Sequence, residues 1–247
     1  MNDTPIALVT GANKGIGREI AAQLAALGHT VVIGARSAEH GEKTAAQLRA
    51  TGADVTSVVL DVTDPASVAA AADAVEARHG RIDALVNNAG VAIPPGTDLA
   101  SQRPGAADLG AVREVFDTNF FGVITVTNAL LPLLRRSSAP RIVNVSSAAG
   151  SLAAMSHPEL GTDQHVAAGY VPSKTALTAL TIQYSRDLRS DGILVNAVCP
   201  GYCATDLNDH SGHRTAAQGA VAAVRMATIP ADGPTGTFTD DEGPVAW

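Results

Sequence analysis

Short runs of aliphatic residues alternate along the chain with segments in which apolar residues recur every three or four positions. Such runs are typical of strands buried on both faces of a parallel sheet, and the segments between them are typical of amphipathic helices. The runs predict strands at 6–10, 30–35, 55–60, 82–88, 141–147, 193–198 and 236–240. Helices are predicted at 16–27, 39–51, 65–79, 106–136, 169–190 and 214–226.

This order of elements indicates an α/β fold. Right-handed strand–helix–strand units would wind into one seven-stranded parallel sheet with helices on both faces, a doubly wound, Rossmann-like architecture. Two irregular segments, 91–110 and 201–219, are rich in glycine, proline or polar residues and follow predicted strands. Because ligands bind outside the carboxyl ends of strands in such sheets, both segments are expected to form walls of a substrate cleft.

Composition and charge exclude several classes of protein. The chain has 247 residues, 46% of them hydrophobic, which suits a single domain. With 17 Lys+Arg against 24 Asp+Glu, the net charge of −7 argues against a nucleic-acid partner. No apolar stretch approaches the roughly 18 residues of a membrane span, and no signal peptide is visible, so a cytoplasmic protein without a membrane partner is expected. Cys199 and Cys203 do not imply a disulfide framework.

The first strand-to-helix junction reads TGANKGIG, residues 10–17. Glycines there permit a tight turn and a close approach of the backbone to a pyrophosphate, while the following helix N-terminus offers N–H groups and a positive dipole end. A glycine-rich turn can also simply end a strand, but its position between a strand and a helix favours a dinucleotide site. We therefore expect residues 1–90 to form the cofactor half of the domain, and 91–247 the catalytic and substrate-loop half.

Basic residues indicate which dinucleotide binds. A carboxylate at the end of the second strand would bind a ribose 2′-hydroxyl, whereas an arginine there suits a 2′-phosphate. The chain has Arg36 at this end and Lys14 inside the glycine turn. These two cations predict NADP(H) as the cofactor. The alternative, that both are solvated surface charges, is less favoured because dinucleotide binding places a cation at this location.

A tyrosine and a lysine four residues apart, Tyr170 and Lys174, are the main catalytic candidates. Residues at this spacing share one face of a helix. The ammonium group is expected to lower the pKa of the phenol by about two to three units, which would make it a usable proton donor and acceptor. Pro172 lacks an N–H group, so the helix must begin only a few residues earlier, with Tyr170 in its first turn.

The glycine spacing G-x-x-x-G-x-G resembles that of the short-chain dehydrogenase/reductase family. The resemblance extends over nearly the whole chain, through DV (61–62), NNAG (87–90), TNFFG (118–122), NVSS (144–147), Tyr-x-x-x-Lys and CPGYCATD (199–206). GANKGIG, NFFG and the ending GPTGTF…W look most like the carbonyl reductase subgroup. The resemblance implies reversible NADPH-dependent reduction of ketones or aldehydes. A 3-oxoacyl-carrier-protein reductase and a non-catalytic NADP(H)-sensing module are the alternatives.

The resemblance also implies residue roles. Tyr170 would be the general acid, and Ser147 would bond the substrate oxygen, with Ser146 as its competitor. Lys174 would also bind the nicotinamide ribose, and Asn119 would hold a water that relays protons to it. The expected cofactor-binding residues are Gly11, Asn13, Lys14, Gly15, Ile16, Gly17, Arg36, Asp61, Val62, Asn88, Ala89, Gly90, Tyr170, Lys174, Pro200, Gly201 and Thr205.

Within that set, Asp61 would meet the adenine amino group. Pro200, Gly201 and Thr205 would hold the nicotinamide carboxamide. The residues 88–90 would line the ribose and the sheet edge, although Asn87 and Asn88 could instead pair backbone groups at a strand end.

The chain departs from the family in an insertion, residues 155–167, which lies between the candidate serine and tyrosine. It could reshape the cleft and cover a helix-pairing surface, so a monomer or homodimer is expected rather than a tetramer. His157 and His165 could approach the cleft through it. His210 and His213 lack the further ligands of a metal site, so no metal is predicted.

The expected partner is a small or medium-sized, largely apolar carbonyl compound, because the two cleft segments offer mostly apolar side chains and few cations. A phosphopantetheine-carried substrate would need a basic patch near the cleft. Arg103, Arg113 and Arg214 are the obvious candidates for such a patch.

Overall fold

The computed structural model describes residues 4–98, 100–157 and 166–247. The strands within these residues are β1 (Ile6–Thr10), β2 (Thr30–Ala35), β3 (Val55–Val59), β4 (Ala84–Asn87), β5 (Arg141–Val145), β6 (Leu194–Val198) and β7 (Phe238–Thr239). The α-helices are α1 (Gly15–Ala26), α2 (Ala38–Arg49), α3 (Pro65–His79), α4 (Leu109–Phe116), α5 (Gly122–Leu134), α6 (Leu152–Ser156), α7 (Tyr170–Asp187) and α8 (Ala216–Ala227).

The described strands form one parallel sheet of seven in the order β3-β2-β1-β4-β5-β6-β7. Leu8 of β1 lies opposite Val32 of β2 on one side and Leu85 of β4 on the other. The chain first winds outward through β2 and β3, then returns to the other side of β1 at β4. Loops on either side of this reversal diverge and leave a crevice at the carboxyl ends of the strands. The predicted Rossmann-like fold is thus confirmed.

Two apolar layers cover the sheet. Val9 points into a layer that includes Leu24 of α1, whereas the adjacent Leu8 points into the opposite layer, which includes Leu133 of α5. The alternation follows from the two-residue period of a strand and explains why the strands read as continuous aliphatic runs. Among the helices of the described residues, none combines the length and apolar character needed to cross a membrane.

The predicted helix at 106–136 is interrupted. It consists of α4, a π-helical turn at Asp117–Phe121, and α5. At the junction Gly122 packs tightly, because a Cβ there would stand 3.0 Å from the carbonyl oxygen of Val62. A π turn adds a residue to the helical repeat and often marks a functional site. Here it contains Asn119, whose side chain is fully buried.

Other boundaries also differ from the prediction. The strand predicted at 236–240 is reduced to β7, and the short helix α6 was not predicted. Residues 158–165 of the insertion lie outside the described residues.

Candidate active site

A cleft of about 900 Å³ opens at the carboxyl ends of the strands. All of the predicted cofactor-binding residues except Gly201 line it. The sequence analysis missed one wall of the cleft, which continues beyond Arg36 along one face of α2. That wall consists of Ser37, His40, Lys43, Thr44 and Gln47. Their helical spacing from Arg36 is a signal that the sequence contained.

The glycine turn is held in place by the end of β4. Asn88 donates from Nδ2 to the carbonyl oxygens of Thr10 (2.9 Å) and Gly11 (3.3 Å). Gly11 itself has φ +63°, a conformation that favours glycine. A Cβ on Gly17 would overlap the Asn88 amide nitrogen and stand 2.6 Å from the Gly11 carbonyl oxygen. Asn88 therefore has a structural role, and the backbone of the turn is the surface that remains for a ligand.

The turn leads into α1, whose N-cap residue is Lys14. No side-chain hydrogen bond caps this helix, and its first turn contains no acidic residue. An uncapped helix N-terminus favours an anion such as a pyrophosphate, through its N–H groups and its dipole.

Lys14 is paired with a residue on the opposite side of the cleft. Its Nζ lies 2.6 Å from Asp206 Oδ2, and the two side chains are 65% and 53% exposed. His210 Nε2 lies 3.0 Å from the other oxygen of Asp206. An ion pair this exposed contributes at most about 1 kcal/mol, so a phosphate can compete for Lys14. The pair links the glycine turn to the 201–219 segment, which the sequence analysis did not foresee.

Tyr170 is the first residue of α7, as the position of Pro172 predicts. The Lys174 ammonium lies 5.8 Å from the centre of the tyrosine ring. It donates a hydrogen bond of 2.8 Å to the carbonyl oxygen of Val145, at the end of β5. The structure therefore brings the predicted pair together, where β5 ends and α7 begins.

The prediction that the pKa of Tyr170 lies below its ordinary value is wrong. Burial raises the pKa of Tyr170 to about 12, which outweighs the lowering by its hydrogen bond with Ser147. Burial also lowers the pKa of Lys174 to about 8. Both shifts have one cause, because removing a group from water disfavours its charged form, whether phenolate or ammonium. The phenol is therefore firmly protonated at neutral pH.

The two candidate serines face different partners. The side chain of Ser147 is hydrogen-bonded to Tyr170 and accepts from the Ala149 N–H at 3.2 Å. The hydroxyl of Ser146, only 2% exposed, donates to the carbonyl oxygen of Lys174 at 3.2 Å. Ser146 lines the cleft and Ser147 does not, yet the Ser146 hydroxyl is turned into the protein. The geometry favours Ser147 as the substrate contact, a role that stays a prediction.

Asn119 holds the loop that follows β4. Its Oδ1 accepts from the Val91 N–H, and its Nδ2 donates to the Val91 carbonyl oxygen, both at 2.9 Å. The same Nδ2 donates to Ser173 Oγ at 3.0 Å, and that hydroxyl donates to the carbonyl oxygen of Tyr170 at 2.7 Å. The amide of Asn119 is thus used by protein groups, and Ser173 is a buried link to the tyrosine that sequence analysis missed.

The turn after β6 closes the catalytic end of the cleft. Pro200 and Thr205 line the cleft. Gly201, which has φ +73°, does not line it and packs against Arg214 instead. A Cβ on Gly201 would stand 2.6 Å from the Cδ of Arg214. Cys199 accepts hydrogen bonds at its Sγ from the N–H groups of Ala148 (3.2 Å) and Gly201 (3.4 Å). Cys199 thus connects the turn after β6 to the turn that follows Ser147. It is a buried free thiol, as is Cys203.

Two further polar residues were expected near the cofactor. Asp61 lines the cleft and accepts at Oδ1 from the backbone N–H (3.0 Å) and the hydroxyl (2.7 Å) of Thr63. Its contact with adenine stays a prediction. Asn87 is buried and donates to Thr127 and Asn144, so it belongs to the core between strands and helices.

The remaining histidines add no metal site within the described residues, where no group of three or more His, Cys, Asp or Glu could hold an ion. His210 contacts Asp206, and His213 lies beside the ring of Tyr202 at 6.1 Å between centres. His157 follows α6, and His165 lies outside the described residues.

Known proteins share this fold. The family model described as short chain dehydrogenase matches residues 5–216. Salutaridine reductase from Papaver bracteatum is 35% identical, with 95% of this chain and 93% of the relative covered. The (+)-neomenthol dehydrogenase of Capsicum annuum is 30% identical, with 95% of each chain covered. The crystal structure of NADPH-bound carbonyl reductase from chicken fatty liver superposes with a TM-score of 0.84 at 29% identity, covering 99% of both chains.

A doubly wound sheet, a glycine turn at its switch point and a tyrosine–lysine pair at the same edge define an oxidoreductase of the nicotinamide-dependent class. The family model, which matches residues 5–216, supports the same class. The chain belongs to the short-chain dehydrogenase/reductase family, whose members act on carbonyl or alcohol groups.

Proposed function

We propose that the protein reduces ketones or aldehydes to alcohols with NADPH, and that Tyr170 is the general acid. The observation that carries this proposal is the arrangement at one end of the cleft, where Ser147 is hydrogen-bonded to a half-buried Tyr170 with Lys174 5.8 Å from its ring. The other end of the same cleft carries Arg36.

The cleft fits a dinucleotide by the chemistry of its lining. The tight glycine turn and the uncapped start of α1 suit the pyrophosphate. Arg36 lines the far end together with Lys43 and His40, so three basic side chains can face a 2′-phosphate. The NADPH bound in the chicken carbonyl reductase structure supports the same choice of cofactor.

When bound, the nicotinamide supplies a hydride to the carbonyl carbon of the substrate. Ser147 would hold the carbonyl oxygen, and Tyr170 would donate its phenolic proton to that oxygen as negative charge develops there. Since burial raises the pKa of Tyr170 to about 12, the proton stays in place until a strongly basic alkoxide forms. At neutral pH the phenol is therefore in the protonated form that reduction requires.

Lys174 would stabilise the charge that Tyr170 acquires once its proton has left. With a pKa of about 8, the amine is mostly an ammonium near neutral pH. In a buried site a cation close to a forming phenolate interacts with it strongly. Both hydrogens of the Asn119 Nδ2 are used by Val91 and Ser173, so only an oxygen of Asn119 could hold a water that relays protons to Lys174.

The substrate proposed is a small carbonyl compound with a largely apolar body. Ile93, Pro95 and Leu207 contribute apolar surface to the cleft. A carrier-bound acyl substrate is the second candidate, because the Monensin polyketide synthase putative ketoacyl reductase of Streptomyces virginiae is 39% identical over 82% of this chain. None of the three arginines that could hold its phosphate, Arg103, Arg113 and Arg214, lines the cleft, and Arg214 is paired with Asp241 at 2.5 Å. We therefore favour the free carbonyl compound.

The test mixes the protein with NADPH or NADH and a panel of activated ketones, and follows the absorbance of the reduced cofactor. Turnover with a preference for NADPH is expected. Tight NADPH binding without turnover on any ketone would contradict the proposal and identify a cofactor sensor. Light scattering after size exclusion on the same sample tests the further proposal that the protein is a monomer or homodimer.

A further inference from the structure

Gln102, at the end of a short 3-10 turn in the 91–110 segment, has a fully buried side chain. Its Nε2 donates to the carbonyl oxygen of Ala92 at 2.6 Å, and its Oε1 accepts from the N–H of Tyr170 at 3.4 Å. Its backbone carbonyl accepts from the N–H of Ala168 at 2.7 Å. One residue thus connects the loop after β4 to the start of the helix that carries the proposed acid.

The start of α7 needs such a partner. The first N–H groups of a helix have no acceptor within the helix, and a side chain at the N-cap usually supplies one. The N-cap residue here is Gly169, which has no side chain, and no local side chain caps the helix. Gln102 supplies the acceptor from 68 residues away. A Cβ on Gly169 would stand 2.8 Å from Gln102 Oε1, so glycine is what permits this approach.

The peptide groups of Tyr170 are consequently held from two sides. Gln102 binds its N–H, and Ser173 binds its carbonyl oxygen. The two contacts lead back to adjacent residues of the loop after β4, because Asn119 connects Ser173 to Val91 while Gln102 binds Ala92. The side chains that set the position of the tyrosine therefore also set the wall of the cleft.

We propose that Gln102 is a positioning residue that fixes the position and orientation of Tyr170 relative to the bound carbonyl group. The proposal rests on the proposed function, since it assigns Gln102 a part in the proton transfer by Tyr170. A displacement of about 1 Å at a reacting group can cost about 10²-fold in rate, so loss of this anchor should act mainly on kcat.

The first variant is Gln102→Met, which keeps the length of the side chain and removes both hydrogen bonds. We expect kcat for ketone reduction to fall by about 10²-fold, while the Kd for NADPH, measured by cofactor fluorescence, stays within about threefold because the cofactor end is untouched. The control is Gly105→Ala, at an exposed position of the same segment where an added Cβ meets open space, which should keep the parent kcat. A folded Gln102→Met protein with the parent kcat would overturn the proposal.

The second variant, Gln102→Glu, gives a readout that a merely structural role would not move. A protonated carboxyl group can donate to Ala92 through its O–H and accept from Tyr170 at its other oxygen, replacing both bonds of the carboxamide, whereas a carboxylate cannot donate to Ala92. The ratio of its kcat to that of the parent should therefore rise on acidification and fall as the pH increases. A ratio that is independent of pH would refute the anchoring role. Failure of the proposed function is distinguishable, because the parent protein would then show no turnover at all.

Discussion

Replacing the buried lysine should change how the stability of the protein depends on pH. Lys174 is 5% exposed, and burial lowers its pKa from 10.5 to about 8. In the unfolded chain the amine regains water and its ordinary affinity for protons. Between about pH 8 and 10.5 the unfolded state of the parent therefore binds more protons than the folded state. The free energy of unfolding of the parent should rise with pH through this window.

The size of the effect follows from the shift. A lowering from 10.5 to about 8 corresponds to about 3 kcal/mol at about 1.36 kcal/mol per pKa unit, a penalty that is fully present below pH 8 and absent above 10.5. Lys174→Met removes the titrating group. The stability advantage of the variant over the parent should thus shrink by about 2 to 3 kcal/mol between pH 7 and pH 10. Loss of the hydrogen bond to Val145 lowers the stability of the variant by the same amount at pH 7 and at pH 10, because a neutral amine donates this bond as an ammonium group does.

Urea unfolding of parent and variant at four pH values from 7 to 10, at one protein concentration, measures this difference directly. Tyr170 and Tyr184 also titrate differently in the folded and unfolded states, but both proteins contain them and their contributions largely cancel. Lys43→Met, at an exposed lysine of α2, is the matched control and should give a difference that stays flat. A flat difference for Lys174→Met as well would refute the argument that the ammonium is desolvated.

Three further predictions concern the site. Arg36→Asp should lower the ratio of kcat/KM for NADPH over NADH by about tenfold or more, since a charged hydrogen bond to the 2′-phosphate is replaced by repulsion; an unchanged ratio would mean that Arg36 is only a surface charge. Ser147→Ala should lower kcat by about 10²- to 10³-fold. Ser146→Ala should instead lower the free energy of unfolding in urea by about 1 kcal/mol and keep most of the turnover. A larger loss of kcat in Ser146→Ala than in Ser147→Ala would exchange the roles of the two serines. Gly17→Ala should weaken NADPH binding by about tenfold or more through overpacking against the glycine turn. The control Gly105→Ala, with open space around its Cβ position, should bind NADPH as the parent does. A fluorescence titration in which Gly17→Ala and the parent have equal affinity for NADPH would show that the turn does not contact the cofactor.

The sequence contained enough information to predict the sheet. Buried parallel strands read as aliphatic runs, so all seven could be located, and their alternation with helices fixed the winding. Strand ends were less predictable because the last paired residue depends on its neighbour. β7 keeps only Phe238 and Thr239 because only these two residues pair with β6.

The site was predictable where a motif is local and not where contacts are distant. Tyr170 and Lys174 lie one turn apart in one helix, and their proximity followed from spacing alone. Gln102 reaches Tyr170 across 68 positions, and Lys14 reaches Asp206 across 192, so no local pattern revealed either contact. The direction of the Tyr170 pKa shift was missed for a related reason, since burial depends on the whole fold whereas the lysine is visible in the sequence.

The central claim is that the phenol of Tyr170 delivers the proton to the substrate. The most direct measurement is steady-state reduction by Tyr170→Phe, with a ketone that the parent protein turns over, beside a fluorescence titration of NADPH with the same variant. The account predicts that kcat falls by at least about 10²-fold while the Kd for NADPH is unchanged, because the ring remains and only the proton donor is lost. Turnover at the parent rate, with NADPH bound as tightly as before, would contradict it.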